Sequence, residues 1–73
     1  MPDEVKSAGK ATEVATSFLK QYYPFLRPVS AARANGTWLV KIDVGILKKR
    51  IAEIKINAVT GGVTEYSVPE QEG

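Results

Sequence analysis

Histidine and cysteine are both absent from the chain, so the residues left with chemistry to offer are carboxylates, lysines, arginines and hydroxyls. That composition excludes imidazole general bases, thiolate nucleophiles and zinc held by His or Cys. Two carboxylates, Asp43 and Glu53, lie on successive alternating segments and are expected to face each other across a turn at Leu47-Lys48-Lys49. Paired carboxylates share a proton or hold a hard cation when they are buried together. Here Lys41 and Lys55 fall on the same face at diagonal positions. The four read as a solvated lattice of alternating charge, each exposed pair contributing about 0–1 kcal/mol. No catalytic residue, metal ligand or cofactor is expected, and the chain reads as a non-enzyme.

The second feature is cationic. Lys48, Lys49 and Arg50 are consecutive, and Arg33, Lys41 and Lys55 add to them. Residues 24–63 carry seven bases against two acids, residues 1–23 balance three against three, and residues 64–73 hold three acids and no base. A basic middle of this kind could meet nucleic acid phosphates. Proteins that bind single strands on a sheet face also display aromatic rings for base stacking. The alternation instead turns Trp38 and Tyr66 towards the core, with Arg33 placed to stack on the Trp38 ring. The third feature is apolar: Leu39, Leu47 and Ile51 fall on the outer face and form a candidate docking patch for a protein partner or for weak self-association.

The elements that position these residues follow from periodicity. A chain of 73 residues, 44% hydrophobic and 25% charged, has the size and composition of one soluble domain spanning 1–73. No apolar run approaches the roughly 18–20 residues needed to cross a bilayer. The start, Met1-Pro2-Asp3-Glu4, lacks the basic-then-apolar pattern of a leader, so a cytoplasmic protein with no membrane contact is expected.

Val5, Ala8, Ala15, Phe18, Leu19 and Tyr22 follow helical spacing and predict a helix from Asp3 to Tyr23, stopped by Pro24. Asp3 is a candidate N-cap and Ser7 a second. Asn35-Gly36 between two extended runs predicts a hairpin, with Ala34 opposite Thr37, Arg33 opposite Trp38, Ala31 opposite Val40 and Val29 opposite Ile42. A turn centred near Lys48 pairs Ile42 with Ile54 and Val40 with Ile56. Thr60-Gly61-Gly62 then closes a last hairpin, with Ile56 facing Tyr66 and Ala58 facing Thr64. The result is an α+β domain: one N-terminal helix on one face of a four-stranded antiparallel meander, with Trp38 buried between them and residues 70–73 a disordered tail. Pro28 and Pro69 flank the two expected edge strands and oppose further pairing.

A Trp-bearing strand, "WLVKI", followed by one ending "IKINAVTGGV" with Tyr66 beyond it, resembles the PepSY unit over about Trp38 to Tyr66. In that family the second strand usually ends in Asp-Ala-x-Thr-Gly, where this chain has Asn57. The resemblance implies a cystatin-like architecture and a role in binding or restraining other proteins. The expected function is a small non-enzymatic protein-interaction module, the alternative being a small basic nucleic-acid-binding protein that uses the Lys48-Arg50 turn.

Overall fold

The computed structural model describes residues 5–68. It contains one helix, α1 (Ala8–Leu19), followed by four strands, β1 (Arg27–Ala34), β2 (Thr37–Asp43), β3 (Ile51–Asn57) and β4 (Val63–Ser67). The strands form one antiparallel sheet in the order β1-β2-β3-β4. This is the expected meander, and α1 covers one of its faces.

Ser7 caps α1: it is extended, and its hydroxyl oxygen accepts from the Lys10 N–H at 3.1 Å. The helix therefore starts later than the periodicity from Val5 implied, and Asp3 lies outside the described residues. Val5 is buried by another route, as extended chain whose N–H donates to the Ala58 carbonyl at 2.7 Å. The helix also stops earlier, at Leu19, and the Tyr22 and Tyr23 N–H groups donate to the Leu19 carbonyl in an irregular last turn. Pro24 explains this, because a proline ring collides with the carbonyl four residues before it, here that of Lys20. Ala11, Ala15 and Leu19 make the fully buried stripe, two of them small enough to bring the helix close to the sheet.

Under that stripe lie Trp38, Val40 and Ile42 of β2 and Ala52, Ile54 and Ile56 of β3, every second residue as a half-covered sheet requires. Trp38 is buried, and its indole Nε1–H donates to the Val5 carbonyl at 2.9 Å. The Arg33 guanidinium stands 6.0 Å from the Trp38 ring centroid. Tyr66 lies on the helix side, edge-on to Phe18 with centroids 5.0 Å apart, yet keeps 47% of its surface exposed.

The register departs from expectation in three places. On β1, Pro28 rather than Val29 faces Ile42, with a bulge between Pro28 and Ser30 that leaves Val29 largely exposed. Proline has no N–H to give the ladder, so a bulge at this point costs little. Between β2 and β3 the pairing slips by two residues: Ile42 faces Ala52, Val40 faces Ile54 and Trp38 faces Ile56. A slip of two preserves which side chains face the core, so alternation cannot detect it. Between β3 and β4, Ile54 faces Tyr66 and Ile56 faces Val63 across a bulge. Asn57 initiates that last turn, its Oδ1 accepting from the Val59 and Thr60 N–H groups at 2.8 and 3.0 Å, while Gly61 takes φ 77°. The first hairpin is as expected, with Asn35 and Gly36 both at positive φ.

Candidate functional site

The slip in register separates the two carboxylates. Asp43 faces Ile51, while Glu53 faces Lys41, so the expected Asp43–Glu53 pair does not exist. Asp43 has a different task. Its Oδ1 accepts from the Gly45 N–H at 3.0 Å and from the Arg50 N–H at 3.1 Å, and the Val44 N–H donates to the Arg50 carbonyl at 2.8 Å. One carboxylate thus closes both ends of the loop joining β2 to β3. The Arg50 and Gly45 N–H groups hold its pKa below the ordinary 3.8; partial burial opposes them, and the charges of Arg27 and Lys49 add to the lowering.

Gly45 is the second device that shapes the loop. A Cβ on Gly45 would lie 1.6 Å from the Lys48 carbonyl oxygen, so a residue with a side chain cannot occupy the position without moving backbone. Only glycine lets the chain fold this tightly on itself here.

What the loop displays is apolar and cationic. Leu47 is 96% exposed at its crest and Ile46 is 71% exposed beside it. Between them and the connector after α1 lies an open hollow of about 430 Å³, lined by Tyr23, Pro24, Val44, Lys48 and Arg50 as well. Two large aliphatic side chains held outwards on a clamped loop are costly to hydration and suited to docking.

The candidate residues from the sequence scatter around this end. Leu47 forms the crest, Ile51 stands at the base of the loop opposite Asp43 and is partly covered, and Leu39 sits farther along β2. Leu39 lines a separate hollow of about 370 Å³ on the uncovered sheet face, with Ala32, Ala34, Thr37 and Lys55. Lys48, Lys49 and Arg50 belong to the loop, whereas Arg33 lies on the helix side against Trp38, and Lys41 faces Glu53. Lys55 makes an ion pair with Glu65 at 3.2 Å. Ile46, Tyr23 and Pro24 were not singled out by the sequence, although Ile46-Leu47 directly after a glycine was a legible signal. So was Asp43-Val44-Gly45, since Asp commonly binds the backbone two residues on.

Among the described residues, no group of three or more His, Cys, Asp and Glu side chains is placed to hold a metal ion. Among the described residues, no helix is long and apolar enough to cross a membrane. Comparison with protein-family models, with curated proteins and with solved structures returns no match.

Proposed function

We propose that the protein is a small non-enzymatic interaction module that docks onto another protein through the β2–β3 loop. The observation that carries this reading is Leu47, almost wholly exposed on a loop that Asp43 and Gly45 hold in one shape. Preorganisation lowers the entropy lost on binding, so a clamped loop favours recognition of a complementary surface. The resemblance of Trp38–Tyr66 to a PepSY unit supports the same role, and a cysteine-free chain accords with work in the cytoplasm.

The dispersal of Arg33, Lys41 and Lys55 away from the loop favours a protein partner over the nucleic-acid alternative. Self-association through this end would be weak, since two aliphatic side chains and a small hollow fall well short of the roughly 1,200–2,000 Å² buried in stable interfaces.

The test is affinity capture from native lysate with wild type and with an Ile46→Ser, Leu47→Ser double variant, identifying both protein and nucleic acid. A protein recovered by wild type and lost with the variant is the expected result. Equal recovery by both would place docking elsewhere, and recovery of nucleic acid alone would favour the alternative.

A further inference from the structure

The chemistry of the docking end narrows what can occupy it. Its hollow is lined by the apolar surfaces of Tyr23, Pro24 and Val44 together with Lys48 and Arg50, and Lys49 lies between these two in sequence. The acid closest to the hollow in sequence, Asp43, is 6% exposed, with Oδ1 turned to the Gly45 and Arg50 N–H groups. The loop therefore exposes Lys48 and Lys49 while its own carboxylate is drawn inside, and no acid is among the residues lining the hollow.

Resting on the docking role proposed above, we infer that the hollow receives a protein segment in which an aliphatic or aromatic anchor is flanked by carboxylates. The anchor fills the space between Pro24 and Leu47, and the flanking acids meet the exposed Lys48 and Lys49. Burial of the anchor supplies affinity, while the charges steer approach and select against neutral or basic segments.

Three other occupants fit less well. Among the described residues, a second copy of the chain offers Glu13 and Glu65, which already pair with Lys10 and Lys55, and Glu53, which faces Lys41. A fluid lipid surface has no fixed side chain to match a hollow of about 430 Å³. An oligonucleotide needs aromatic platforms for successive bases, and this end offers one partly buried ring, Tyr23, beside an aliphatic crest.

The experiment is selection of displayed random dodecapeptides on the folded protein, counter-selected on the Ile46→Ser, Leu47→Ser variant. Selected peptides are then measured on a Lys48→Gln, Lys49→Gln variant and on its Lys48→Arg, Lys49→Arg counterpart. Unfolding curves confirm that each variant is folded.

Enrichment of Asp or Glu beside Leu, Ile, Phe or Trp is expected, with affinity falling about tenfold in the Gln variant and recovering in the Arg variant. Loop-dependent peptides without acidic bias, bound equally by the Gln variant, would overturn this inference and leave the docking role standing. No enrichment over the counter-selected variant would overturn both. Loop-dependent binding of phosphatidylglycerol-containing vesicles or of a single-stranded oligonucleotide, with no peptide selected, would replace the inferred partner with that one.

Discussion

Asp43 Oδ1 accepts the Arg50 backbone N–H at 3.1 Å, so the last residue of β2 holds the residue that precedes β3 across the loop. Because this bond and its companion to Gly45 stabilise the ionised carboxylate, the folded pKa lies below the ordinary 3.8. The sign follows from linkage: the unfolded chain binds the proton more readily, so the stability contributed is complete above pH 3.8 and is lost as pH falls through the folded pKa. Thermal unfolding followed from neutral pH into that acid range should show wild type losing stability that an Asp43→Asn variant lacks from the start. The two melting temperatures should converge in acid. Parallel curves at all pH values would mean that the ionised carboxylate does not hold the loop.

Gly45→Ala tests the tight fold of the same loop. The new methyl group would meet the Lys48 carbonyl oxygen at 1.6 Å, so the backbone must open. A loss of about 1–3 kcal/mol is expected in denaturant unfolding, the usual scale for forced overpacking. Hydrogen exchange should accelerate at the Arg50 and Gly45 amides. Gly62→Ala is the control, because its Cβ meets only the Thr60 hydroxyl at 3.5 Å, an ordinary contact.

Trp38 anchors the chain before the helix. Trp38→Ala should cost about 3–5 kcal/mol, much of the stability of a domain this small. Trp38→Phe keeps most of the ring but removes the donor to the Val5 carbonyl. It should cost less, about 1–3 kcal/mol for an acceptor left without its partner, and should release the Val5 amide from the Ala58 carbonyl. Faster exchange at Val5 with unchanged protection in Val40 and Ile54 is the expected pattern.

Leu47 and Ile46 should be dispensable for folding. Replacing both with Ser should change stability by no more than about 0.5 kcal/mol, as exposed positions usually do. Sedimentation of wild type and of a Leu47→Glu, Ile51→Lys variant should show at most weak, concentration-dependent association, abolished in the variant. A tight dimer insensitive to both changes would put the contact surface away from the loop.

Much of this architecture is legible in the chain before it folds. Asn35-Gly36 determines the first hairpin because few other pairs take positive φ twice in succession. Alternation in Trp38, Val40, Ile42 and in Ile54, Ile56 determines which face meets the helix, since the side-chain period of a strand is two. That same period is blind to a slip of two residues, so the partners of Asp43 and Glu53 were decided by the loop between them. The loop's shape in turn depends on Asp43 reaching Arg50 and on Gly45 meeting Lys48, contacts within one segment that periodicity does not describe. The helix starts at the cap Ser7, which the sequence offered. That Val5 lies in extended chain was decided by Ala58, whose carbonyl accepts the Val5 N–H and draws it out of the helical stripe that its spacing suggested. The docking end needed the tertiary structure most of all. Tyr23 and Pro24 come to the edge of Ile46 and Leu47 only when the helix is laid across the sheet and its exit is carried to the β2–β3 loop.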